Sequence, residues 1–289
     1  MSMTIELTAL SGYNLRGLSR KNILLGKNGC GKSRLLKLAD QGLRGRPEVG
    51  AVRYLSPERG GVLQYEAGIE QNLTSSPAWL ADSRRSNQAQ QFRQQSAAQF
   101  RRLELLILRE IEQNPALRAD PGVTFDRTVA RINTLLDRVY LTRADPAFRI
   151  NDRKTDAPVQ PQDISSGESE LISLGIECLV FEKESQPGKL NLLLMDEPDV
   201  HLHPDLQARF ARFVEQMVAV SEVSVLIATH STALLGAMSD YAETHLAFMR
   251  YGETDITFSP TTDTHRRVLP VFGAHPLSNV FKSSSRSAR

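Results

Sequence analysis

The stretch GKNGCGKS, Gly26 to Ser33, lies between the apolar run NILL and the basic amphipathic run RLLKLA. Upstream, IELTALSGYNLRG predicts a strand and turn, and KNILL predicts a second, buried strand. Downstream, KSRLLKLADQG places Leu35, Leu36 and Ala39 on one helical face, with Gly42 as the C-cap. A glycine loop joining a buried strand to a helix is an anion nest. Glycine admits φ > 0, successive N–H groups turn inward, and the helix start adds partial positive charge. Gly26, Gly31, Lys32 and Ser33 stand at the four fixed places of GxxxxGK[ST]. Residues Gly26, Lys27, Asn28, Gly29, Cys30, Gly31, Lys32, Ser33 and Arg34 are therefore the candidate nucleotide-binding segment, with ATP and Mg²⁺ as the expected cofactors. The Lys32 ammonium suits the β- and γ-phosphates, and the Ser33 hydroxyl suits Mg²⁺. The mechanism does not require the Cys30 side chain, so packing is its expected role.

A second half of the site follows from two later runs. LNLLLMDEP, from Leu190, reads as a buried strand ending in acids, and SVLIATHS, from Ser224, as another ending in His230. The helix PDLQARFARFVEQMVAV separates them. Asp196 is a candidate for the magnesium shell, and Glu197 for polarising an attacking water. His230 is a candidate for contact with the γ-phosphate or that water, so the catalytic set is Glu197, His230 and Lys32. Strands alternating with helices predict an α/β fold with a mostly parallel sheet flanked by helices.

The middle of the chain differs. Residues 84–112 form one predicted helix, with Phe92, Ala97, Phe100, Leu103, Ile107 and Ile111 mostly three or four apart, closed by Asn114-Pro115. FDRTVARINTLLDRVY predicts a second, Phe125 to Tyr140. The expected organisation is a core of residues 1–80 and 160–281, an inserted α-helical, Arg-rich lobe at 81–159, and a disordered tail at 282–289. Residues 84–153 hold thirteen arginines against eight acidic residues, although the whole chain has a net charge of only +2. A solvated helical face and a nucleic-acid surface both fit that excess. Arg84, Arg85, Arg101 and Arg102 are the candidates for nucleic-acid contact. The lobe is too short for a coiled-coil arm.

Across 289 residues the apolar fraction is 40% and the charged fraction 24%, with no apolar run long enough for a membrane span. No membrane association is expected. The start lacks a secretory signal, and Cys30 and Cys178 are the only cysteines. A cytoplasmic location is the expectation.

The run ISSGESE, Ile164 to Glu170, resembles the ABC ATPase signature LSGGQ, and DEPDVHLHPDLQ resembles the DEPExxLHP run of ATPases related to the overcoming-lysogenization-defect nucleases and to chromosome-maintenance and break-repair heads. That resemblance covers residues 4 to about 250 and implies a P-loop NTPase of ABC type. It implies a homodimer joined through an ATP sandwich, in which Ser165, Ser166, Gly167 and Glu168 meet the nucleotide of the other copy and Asp199 lies in the D-loop region. Ser166 replaces the usual first signature glycine, and Glu168 replaces glutamine. Physics alone reads SSGE as a helix N-cap with an acid in the first turn.

YLSPERGG, Tyr54 to Gly61, lies where such heads carry the Q-loop, and Glu58, Arg59 and Gln64 remain open for that role. Tyr13 is open between adenine stacking and core packing. His201 and His203 form HxH without an evident third ligand, so zinc is not expected. VFGAHPLSNVF resembles the segment that follows the head in bacterial anti-phage ATPases, where an effector region or nuclease partner comes next. The implied function is an ATP-driven switch over an effector protein, a nuclease subunit or a DNA-bound state, in anti-phage defence or DNA repair. A transporter nucleotide-binding subunit and a DNA-bridging ATPase are the alternatives.

Overall fold

The computed structural model describes residues 5–10, 12–56, 89–145, 147–160 and 163–261. The chain opens with β1 (Ile5–Leu10), β2 (Tyr13–Leu18) and β3 (Lys21–Gly26), continues through α1 (Lys32–Leu43), and adds β4 (Val49–Leu55). Three strands, not two, precede the glycine loop, because the first predicted strand folds back at Gly12 as an antiparallel pair. Nor is Gly42 the cap of α1. The helix runs through it to Leu43, and Arg44 follows in extended conformation.

The middle segment gives α2 (Ala89–Gln113), α3 (Pro115–Ala119), α4 (Phe125–Asn133), and the hairpin β5 (Val139–Arg143) with β6 (Phe148–Asp152). Asn114 closes the long helix and caps the short one, accepting from the N–H groups of Ala116 and Leu117. The helix expected to reach Tyr140 ends at Asn133. The Asn133 amide donates to Leu141 O at 2.9 Å and accepts from Leu141 N–H at 2.7 Å, substituting for a strand partner and turning the chain into β5. The lobe is therefore mixed rather than purely α-helical.

Next come α5 (Ser166–Glu184), β7 (Leu190–Asp196), α6 (Pro204–Val220), β8 (Val223–Thr229), α7 (Thr232–Ser239), β9 (Thr244–Met249), β10 (Asp255–Thr257) and β11 (Ser259–Pro260). The main sheet has the order β11-β9-β3-β8-β7-β4, and all its pairs are parallel except β11 with β9. β1, β2 and β10 form a smaller sheet. Side chains alternate across the main sheet. Ile23, Leu25, Leu193 and Met195 face one apolar cluster with α5, α6 and α7, while Leu24, Leu192 and Leu194 face another with α1 and the small sheet.

The lobe joins the first of these clusters. Phe100 on α2 meets Phe125 and Phe148 edge-on, with centroids 5.1 and 5.0 Å apart, and all of α5 from Gly167 to Phe181 is buried. Its arginines fasten it to the same helix. Arg131 forks onto Glu182 at 2.8 and 2.7 Å, and Arg102 lies 2.5 Å from Glu184. Arg102 thus pairs with Glu184 while its side chain stays 41% exposed. Arg143 likewise pairs with Glu104, while Asp137 of the lobe pairs with Arg209 of α6. Arg84, Arg85, the tail at 282–289, and Glu58, Arg59 and Gln64 lie outside the described residues.

Candidate nucleotide site

Parallel register brings the ends of three strands to one edge: Leu25 pairs with Thr229, and Asp196 with Ala228. Loops leaving that edge form the crevice where open α/β sheets bind ligands. From the end of β3 the chain enters the glycine loop, with φ of +80° at Gly29 and +108° at Gly31. Gly26 is required for another reason. A Cβ there would lie 2.5 Å from Cys30 Sγ and 2.9 Å from Met249 O, so the loop closes only on glycine. Cys30 itself is buried by this packing. No side chain caps the start of α1, which leaves its first N–H groups directed at the loop; Ser33 and Arg34 are exposed, as are Lys27, Asn28 and Gly29.

Lys32 is buried, and its ammonium donates to Gly26 O at 2.9 Å and Lys27 O at 3.5 Å, curling over the nest. Its Nζ is 3.9 Å from Glu197 Oε1, and the same oxygen is 3.2 Å from His230 Nδ1. The first residue of α1 and the residues following β7 and β8 thus meet at one carboxylate. Glu197 reaches this position through a left-handed backbone, φ +45°, held by its N–H donating to Ala228 O at 2.8 Å. Such a conformation in a non-glycine residue costs of order 1–3 kcal/mol and concentrates at functional sites.

Asp196 is fully buried one residue earlier, accepting from the Tyr54 hydroxyl at 2.8 Å and from Ser33. Burial raises its pKa against the opposing pull of those two hydroxyls. Ser33 and Asp196 supply a hydroxyl and a carboxylate side by side, the oxygen donor set that suits Mg²⁺. Tyr54 could not be found from the sequence, since its role depends on β4 pairing with β7, where Tyr54 lies opposite Leu194.

Asp199 is buried further along the same turn and accepts from the Thr229 hydroxyl at 2.6 Å. The Thr229 oxygen in turn accepts from Ser231 N–H at 2.9 Å, and the Ser231 hydroxyl donates to Gln207 at 2.6 Å. This chain of bonds clamps the loop carrying His230 against the segment carrying Asp199.

Ser165, Ser166, Gly167 and Glu168 open α5. The Ser165 hydroxyl accepts from Glu168 N–H at 3.2 Å and donates to its carboxylate at 2.8 Å, a closed N-cap. Arg138 donates to Asp163 O at 2.9 Å and to Glu168 Oε2 at 3.3 Å, offsetting the acid that stands in place of glutamine. A Cβ on Gly167 would meet Leu206 Cδ1 at 2.7 Å, so this turn packs closely on the start of α6. Among the described residues, the side-chain hydrogen bonds of Ser165 and Glu168 run to each other and to Arg138.

Comparison with known proteins agrees with this geometry. A model of the family described as "AAA domain, putative AbiEii toxin, Type IV TA system" matches residues 65–236, more than half of the chain. The match takes in the α5 turn, the acidic strand end and His230, and begins after the phosphate loop. The OLD nuclease of Thermus scotoductus (strain ATCC 700910 / SA-01) is 30% identical over 94 residues; that stretch is 30% of this chain, and the chain spans only 17% of the nuclease's length. Among solved structures, the Smc head bound to the C-winged helix domain of ScpA superposes with a TM-score of 0.51 at 12% identity, covering 90% of this chain and 98% of that one. That likeness shows the fold alone. Among the described residues no helix is long and apolar enough to cross a membrane. The family match over residues 65–236 makes this chain a member of the AAA family of that description, and its fold is that of an Smc-type ATPase head.

Proposed function

We propose that the chain binds ATP with Mg²⁺ and hydrolyses it to ADP and phosphate. The carrying observation is the meeting of Lys32, Glu197 and His230 at one carboxylate oxygen beside the glycine loop. In this reading Lys32 neutralises the β- and γ-phosphates, Glu197 polarises the attacking water, and His230 orients that water or the γ-phosphate. Mg²⁺, held by Ser33 and Asp196, would neutralise charge on the phosphate oxygens. Residues 26–34 cradle the phosphates.

We further read the chain as one half of a homodimer closed by ATP, with Ser165, Ser166, Gly167 and Glu168 facing the nucleotide of the second copy and Asp199 beside it. Residues 1–80 and 160–281 form the ATPase core of this reading, and 81–159 the lobe. Hydrolysis then separates the pair, because a ligand moves such an equilibrium only by binding one state more tightly. The switch controls an effector protein, a nuclease subunit or a DNA-bound state, in anti-phage defence or repair. Support for that setting comes from the partial likeness to the OLD nuclease.

The test is the ATPase rate of the purified chain with and without duplex DNA, beside Lys32→Ala, with mass by light scattering in ATP. ATP-dependent doubling of mass with hydrolysis absent from Lys32→Ala is expected. A chain that stays monomeric and hydrolyses nothing in ATP and Mg²⁺ refutes the reading. Hydrolysis indifferent to DNA moves the stimulus to a protein.

A further inference from the structure

The two ends of a bound nucleotide face different strands. Asp196 ends β7, and Glu197 and His230 follow β7 and β8, so on the nucleotide reading the terminal phosphates would fall on the β8 side of β3. The other neighbour of β3 is β9. A nucleoside attached to that phosphate chain therefore leaves the loop over the end of β9. At that place, residues 27–30 and 248–251 line a cavity of about 580 Å³, within the usual range for small-molecule sites.

The floor of the cavity is fixed to the phosphate loop through Met249. Its Cε lies 3.2 Å from where a Cβ would stand on Gly31, and its carbonyl oxygen 2.9 Å from the equivalent point on Gly26. Tyr251 stands at the rim, 90% exposed. The turn presenting it is closed: Arg250 N–H donates to Glu253 Oε2 at 2.9 Å, Glu253 N–H donates to Arg250 O at 3.2 Å, and Gly252 takes φ +77°. A single exposed tyrosine is ordinary on a protein surface. One held by a bonded turn, at the mouth of a cavity shared with the phosphate loop, has a free π-face where a base would arrive. Tyr13, the aromatic residue that the sequence offers for this role, also approaches the loop, its hydroxyl 3.7 Å from where a Cβ would stand on Gly31, but it is half-buried against the cluster under α1, whereas Tyr251 is exposed.

We propose that Tyr251 is the stacking platform for the nucleobase of the bound nucleoside triphosphate. The proposal rests on the nucleotide reading of the glycine loop. Stacking uses the π-face that every base has, so the site tolerates both purines. In this proposal Tyr251 is a binding residue: it follows β9, whereas Glu197 follows β7.

Calorimetry on the full chain with Mg²⁺ tests it, using ATP, GTP and inorganic tripolyphosphate against wild type, Tyr251→Ala, Tyr251→Phe and Lys32→Ala. Tyr251→Ala is expected to weaken ATP roughly tenfold while leaving tripolyphosphate within about twofold, and Tyr251→Phe to keep wild-type affinity. ATP and GTP should bind within about threefold of each other. Unchanged ATP affinity in Tyr251→Ala overturns the proposal, as does an equal loss for tripolyphosphate. If wild type and Lys32→Ala bind ATP and tripolyphosphate alike, or neither protein binds them, the nucleotide reading itself fails and the stacking site with it.

Discussion

The Nδ1 atom of His230 lies 3.2 Å from Oε1 of Glu197. The imidazole and carboxylate come from the ends of adjacent parallel strands, and Lys32 faces the same oxygen from the start of α1. In the proposed hydrolysis this carboxylate takes the proton of the attacking water, its position fixed by the two basic side chains. Glu197→Gln keeps the shape and removes the basicity. Single-turnover hydrolysis is expected to slow by at least about a hundredfold, with ATP affinity within roughly threefold of wild type. Loss of affinity without loss of rate would show that Glu197 holds the nucleotide instead.

Tyr54 donates to Asp196 where both are buried, so Tyr54→Phe removes a hydrogen bond from a carboxylate with little change of shape. The expected destabilisation is about 1.5–3 kcal/mol in urea. The Mg²⁺ concentration for half-maximal hydrolysis should also shift, because Asp196 loses one of the groups that orient it.

Arg53 lies buried against Glu177 at 2.9 Å and against Glu184, over the ring of Phe181. Arg53→Ala breaks the ion pair of a fully buried carboxylate and is expected to cost about 3–5 kcal/mol. The double variant Arg53→Leu with Glu177→Leu, which removes both charges, should recover much of that loss in the same denaturation experiment. Equal stability of the two variants would contradict a penalty from breaking a buried ion pair.

Burial holds the Asp199 carboxyl above its ordinary value of 3.8, against the bond from Thr229. The folded chain keeps this proton to higher pH than the unfolded chain. The contribution of Asp199 to stability is therefore full below 3.8 and falls as pH rises through the raised folded value. Asp199→Asn has no proton to lose and can still accept from Thr229. Its melting temperature should exceed that of wild type at pH 7, with the gap closing in acid; a gap that widens in acid would reverse the assignment.

Much of the candidate site was legible because its signals are local. The spacing of Gly26, Gly31, Lys32 and Ser33, and the acids or histidine closing LNLLLMDEP and SVLIATHS, each mark a strand end within a few residues. What stayed hidden depends on distant pairing. Asn133 ends its helix by bonding Leu141, so periodicity alone carried the expected helix too far. Similarly, an arginine count cannot show that Arg102 and Arg131 are taken up by Glu184 and Glu182, 82 and 51 positions away in the chain. Tyr251 gave no signal, because its meaning lies in β9 being the neighbour of β3.

The helix α5 is enclosed on every side from Gly167 to Phe181, with the lobe supplying part of that cover. A stretch with no solvent-facing side cannot be handed to a different cover without new wetting of its apolar surface. The lobe is therefore no interchangeable cassette. A chimera that exchanges it between relatives will fold only if α5 is exchanged with it, and the two should be inherited as one block, carrying the Ser165 turn along.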